Sequence, residues 1–227
     1  MNTNKIIEAV SVDCLIFGFV DSKLYVLLVK HGTGPTHGQW AIPGSWVRYN
    51  EDIDLAANRV LKSQTSINKI YLEQFKTFGK VERYPYGRVI TIAYYALIDI
   101  EKVKIRPGKS EEAVEWFPVN NIPDLAFDHK KILDSGLAFL RNRILHEPIG
   151  FNLLPPSFTL LQLLTLYEAI LQKKLDKSNF RKKFLKMDLL IETNKHQKKV
   201  SHRAAKYYRF DTEVYDKLKL SGFIFGF

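Results

Sequence analysis

Cysteine is almost missing from this chain: Cys14 is the one cysteine in 227 residues, so no intrachain disulfide can form and a reducing compartment is expected. Cys14 stands in an apolar, strand-like run, where a buried structural thiol is expected rather than a nucleophile. Long hydrophobic runs are missing too. The apolar stretch 10–20 is broken by Asp13 and is shorter than the roughly 20 residues that span a bilayer. No charged leader with a small-residue cleavage site precedes it, so a cytoplasmic protein with no membrane partner is expected. Acidic residues are scarce at one end only: residues 150–227 hold 15 Lys and Arg against 7 Asp and Glu, eight of the ten net positive charges. Such an excess suits a polyanionic partner without saying which one.

The composition, 46% hydrophobic and 26% charged, is that of a globular chain, and its length favours two domains. Residues 10–19 and 24–29 read as a β-hairpin, 40–44 as a short strand ending in a turn, and 53–64 as a helix with Asp52 and Asp54 at its positive end. Further strands are expected at 70–78, 89–100 and 113–119, and a helix at 133–145. Breakers at 146–150 and 154–156 coincide with the change in charge and place a linker there, with domains 1–149 and 150–227. Beyond it come helices at 158–171 and 177–187, a strand at 189–191, a basic loop and a strand at 206–210, the order of a winged helix-turn-helix.

Gly44-Ser45, then Glu51, then Arg59 are spaced as in the Nudix box, a strand, turn and helix that binds divalent metal through glutamates. The chain resembles that family here and again at 87–97, 116–119 and 125–129. It departs where the box carries its carboxylates: Val60, Ser63 and Gln64 occupy the three helix positions and Ser66 the glycine position. Positions i, i+3 and i+4 share one helix face, and without carboxylates there the charge that holds Mg²⁺ and activates water is lost. No catalytic residue, metal or cofactor is expected.

The resemblance is to the non-hydrolytic, Nudix-related transcriptional regulators. It implies an α+β fold, a Nudix-type α/β/α sandwich followed by a small winged helix-turn-helix domain, acting as a homodimer. Effector contacts are expected from Lys30, Trp40, Lys80, Arg83, Arg88, Glu115, Asp128 and His129, which suit either sugar hydroxyls or a pyrophosphate.

In helix 177–187, Phe180, Phe184 and Met187 form one buried stripe and leave a cationic ridge outside. Lys177, Ser178, Asn179, Arg181 and Lys182 are expected to meet DNA bases or phosphates, and Lys198, Lys199 and Arg203 to act from a wing. The function expected is a repressor that binds double-stranded operator DNA and controls sugar catabolism through a pentose such as L-arabinose. The alternatives are an ADP-ribose sensor in NAD metabolism, a pyrophosphohydrolase using Glu51 with Glu111 or Glu112, and a binding module whose tail docks on an acidic protein.

Overall fold

The computed structural model describes residues 9–196, 204–221 and 225–226. Contacts divide the chain into one unit of Met1–Gly18 with Tyr25–Ala138 and another of Phe19–Leu24 with Phe139–Phe227.

Strand β1 (Val10–Val20) is the axis of the first unit. It turns into β2 (Lys23–His31) through Asp21 and Ser22, at φ 49° and 60°, the left-handed pair that a tight hairpin requires. On its other side β1 runs parallel to β6 (Ile90–Ile98), which pairs antiparallel with β5 (Glu73–Phe78). Strands β3 (Trp40–Ala41) and β7 (Glu111–Pro118) pair with β2, and β4 (Gly44–Trp46) pairs with β1. A strand in a parallel pair is covered on both faces. That explains the continuous apolar run, in which Val12 and Cys14 to Phe17 are all fully buried.

Successive side chains of a strand point to opposite faces, so two neighbours in β1 report both layers. Cys14 Sγ donates to Ala57 O in helix α1 (Ile53–Thr65), and the core on this face gathers Val12, Ile16, Ala56, Val60 and Leu61. Leu15 meets Gly136 in helix α2 (His129–His146), where a β-carbon would strike its side chain. The two helices therefore cover opposite faces of the sheet. Helix α1 ends as a glycine-less cap, with Ser66 at φ 65° donating its N–H to Lys62 O. Helix α2 begins at His129, ahead of the expected 133, because the Asp128 carbonyl accepts from the amides of Lys131 and Ile132.

In the second unit a 3₁₀ turn (Ile149–Leu153) is followed by β8 (Phe158–Thr159), α3 (Leu160–Leu171), α4 (Lys177–Lys186), β9 (Leu190–His196), β10 (Lys206–Phe210) and α5 (Thr212–Leu220). The strands form a sheet in the order β8-β10-β9, the hairpin and return strand of a winged helix. Three differences from the sequence reading stand out. Thr159 caps α3 in a capping box with Gln162, so residues 158–159 are strand rather than helix. Helix α5 was not anticipated. The segment read as a linker is folded, with Gly150, Leu153 and Leu154 buried, and the division between units falls inside α2.

The core of this unit is aromatic. Phe184 is fully buried, with ring centroids 4.6 Å from Phe180 and 5.2 Å from Tyr167. Phe184→Ala is expected to cost about 3–5 kcal/mol by deleting that packing. Urea denaturation followed by tryptophan-independent circular dichroism measures the loss.

Candidate functional site

The first unit holds a cavity of about 340 Å³ beside the altered box. Its walls come from β1 (Ser11, Asp13), the loop after β2 (Thr33, Thr36), β4 (Ser45, Trp46), the end of α1 (Gln64), the 80–88 segment (Arg83, Tyr84), and Phe127, Asp128 and His129. Arg83 reaches in from its segment. Its guanidinium holds Asp128 through two bonds, Nε at 3.1 Å and Nη2 at 2.7 Å, and donates a third to Thr91 Oγ1. Thr91 in turn bonds Ser11 Oγ at 2.6 Å, which ties the segment to β6 and β1. Tyr84, carried next to Arg83, meets Trp46 and Phe127 at centroid distances of 5.8 and 5.0 Å and so lines one side with aromatic rings.

His129 is neutral and of fixed tautomer. Ile42 N–H donates to Nδ1 at 3.0 Å, so the ring proton sits on Nε2, and burial lowers the pKa to about 4. Asp13 Oδ2 lies 3.8 Å from that Nε2, too far for a hydrogen bond. The Asp13 carboxylate is 5% exposed, and burial raises its pKa to about 7, against the pull of Arg83 and with the push of Asp128. At the far wall Glu111 bonds Ser110 Oγ through Oε1 at 3.2 Å, Oε2 is buried with no hydrogen bond to the described residues, and burial pushes this carboxyl up, against the pull of Ser110 and Gln64.

Val60 is fully buried in the core, Ser63 Oγ donates to Val60 O, and the Gln64 amide takes both polar groups of Gly44, accepting from N–H at 2.9 Å and donating to C=O at 3.1 Å. Glu51 is committed to Arg59 at 2.7 and 2.5 Å and accepts from Arg48 N–H, which pulls its pKa to about 2. Glu112 pairs with Lys30 and His37. Among the described residues, no three His, Cys, Asp or Glu side chains gather into a set that could hold a metal ion.

Of the eight effector residues expected from the sequence, Arg83, Asp128 and His129 line the cavity. The other five lie outside its lining: Lys30 pairs with Glu112, Trp40 packs edge-on against Phe117 at 4.7 Å, Glu115 is exposed on β7, Lys80 is exposed, and Arg88 donates to the Lys80 and Val89 carbonyls. Sequence reasoning passed over Asp13, Trp46, Tyr84 and Phe127. Asp13 carried a usable signal, being a lone charge inside an apolar strand.

In the second unit Asp176 caps α4 by accepting from Asn179 N–H at 2.7 Å. Phe180 and Phe184 are buried, and Lys177, Ser178, Asn179, Arg181, Lys182, Lys183 and Lys186 are all exposed. Lys198, Lys199 and Arg203 lie outside the described residues.

Known proteins agree with both halves. A NUDIX domain model matches residues 8–135, which include every cavity residue, and a model of the NrtR DNA-binding winged helix domain matches residues 150–210. The ADPR responsive transcriptional repressor NtrR of Acinetobacter baylyi is 34% identical over 210 residues, 91% of this chain and 83% of its own. The chain belongs to the NrtR family. Its structure superposes on Shewanella oneidensis NrtR complexed with a 27mer DNA at TM-score 0.73, with 28% identity over 88% of this chain and 93% of that one. The NUDIX domain of that NrtR, complexed with ADP ribose, matches at TM-score 0.56 and 27% identity, covering 62% of this chain and 93% of its own.

The buried carboxyl and imidazole give opposite pH effects on stability. His129 is harder to protonate when folded, so its contribution is full above pH 6.5 and is lost as pH falls through about 4. Asp13 is easier to protonate when folded, so its contribution is full below pH 3.8 and is lost as pH rises through about 7. Asp13→Asn is therefore expected to stabilise the first unit at pH 8 by on the order of 2–4 kcal/mol and to do little at pH 4. Thermal melts of both proteins across that range check the sign.

Proposed function

We propose that this chain is a transcriptional repressor whose Nudix unit binds ADP-ribose as an effector without hydrolysing it, and whose winged helix holds operator DNA. The observation that carries the reading is a cavity with an aromatic wall and a buried arginine, set beside a box whose helix positions hold Val60, Ser63 and Gln64. Trp46, Tyr84 and Phe127 suit a purine ring, and Arg83 suits a diphosphate once it leaves Asp128. The pentose favoured from sequence has no support among the relatives, whereas both the Acinetobacter repressor and the Shewanella domain are named with ADP-ribose. The effector assigned here is accordingly the sequence reading's alternative. Homodimer formation belongs to the same proposal.

A thermal-shift series separates the readings, because a ligand of the native state raises the melting temperature by mass action. ADP-ribose is expected to raise it and L-arabinose to leave it unchanged; the reverse pattern rejects the assignment. Incubating ADP-ribose with the chain and Mg²⁺ is expected to give no AMP. Metal-dependent release of AMP that is lost with Glu51→Gln would instead establish a hydrolase.

On the DNA side, α4 offers its exposed N-terminal turn to a groove, with the two phenylalanines holding the helix from behind. Arg181→Ala and Lys182→Ala are each expected to weaken DNA binding and to reduce the slope of log K against log salt by about one if the side chain meets a phosphate. Fluorescence anisotropy with labelled upstream DNA at several salt concentrations reads both quantities.

A further inference from the structure

An anionic effector and this cavity are electrostatically mismatched. The lining contains one arginine, Arg83, already bonded to Asp128, and two more carboxylates, Asp13 and Glu111. His31 and His129 do not redress the balance, since burial disfavours the charged form of each. A diphosphate entering a cavity with three ionised carboxylates and one cation would be repelled.

Asp13 is the group placed to relieve this. It is the fourth residue of β1, 5% exposed, and its carboxylate has no hydrogen bond to the described residues, the His129 ring nitrogen lying 3.8 Å away. Three groups face it: Arg83 from the 80–88 segment, Asp128 before α2 and His129 at the start of α2; the neighbouring Cys14 thiol points to the opposite face, against Ala57. A carboxylate in such a place repels phosphate, but the protonated carboxyl donates to it. Burial already moves this group toward neutrality at physiological pH, and an incoming dianion moves it further in the same direction.

Resting on the ADP-ribose reading, we propose that Asp13 contacts the effector in its protonated form, as a hydrogen-bond donor to the diphosphate, so that effector binding takes up about one proton at pH 8. The proton comes from solvent and leaves with the effector. Occupancy then depends on pH as well as on concentration: above neutrality, affinity falls by up to tenfold for each unit of pH.

The test is calorimetric titration of ADP-ribose into the full chain at pH 8, without divalent cations, in two buffers of different ionisation enthalpy. The unaltered chain is expected to take up about one proton per ADP-ribose, a measurement that needs no variant. Asp13→Asn, whose amide supplies a donor at every pH, is expected to take up markedly fewer protons and to bind with nearly constant affinity between pH 6 and 8. Binding without proton uptake, equal uptake by Asp13→Asn, or binding only when Mg²⁺ is added overturns the inference and leaves the sensor reading standing. Failure of the unaltered chain to bind ADP-ribose at any pH overturns the sensor reading, and this inference with it.

Discussion

The cavity exists because a guanidinium from an irregular segment is buried against a carboxylate at the mouth of a helix. Arg83 and Asp128 have side chains only 6% and 11% exposed, and they share two hydrogen bonds, with a third running from Arg83 to Thr91. An ion pair this deep is held by geometry rather than by net attraction, since both partners give up water to form it. Losing either partner would leave a buried charge unpaired. The pair brings Tyr84 against Trp46 and Phe127 and fixes the 80–88 segment over β1 and β6, so the aromatic wall and the buried Asp13 both depend on it.

Under the proposed function, the same pair is the point an effector would contest. A diphosphate would compete with Asp128 for Arg83, because both present oxygens in the plane of the guanidinium fork. Gln64 pins Gly44 by both backbone groups, beside Asp13 on the neighbouring strand. The side chain at this helix position is thus a neutral clamp on the turn. Glu51 and Arg59 persist as a structural pair, which accounts for the part of the motif that survives in the sequence.

Legibility of the fold followed the kind of residue concerned. Periodic apolar runs gave β1, α1, α3 and α4 near their observed bounds, since burial of one face dictates the spacing. Helix α5 escaped because Thr212–Leu220 mixes charged and apolar residues. At the site, Arg83, Asp128 and His129 were named from sequence, while Lys30, Trp40, Lys80, Arg88 and Glu115 were not brought to the lining. A charged residue near a motif says little about which way it points. Trp40 and Trp46 show the difficulty most simply, as strand direction alone sends one onto Phe117 and the other toward Tyr84.

On the proposed function, one chain couples a small-molecule cavity to DNA through two units of different chemistry. Titrating ADP-ribose into a preformed complex of the full chain with its upstream DNA, followed by fluorescence anisotropy at constant salt, tests that coupling most directly. A saturable change in DNA affinity of several-fold or more, absent with L-arabinose, is the expected result. An unchanged DNA affinity at saturating ADP-ribose would contradict it.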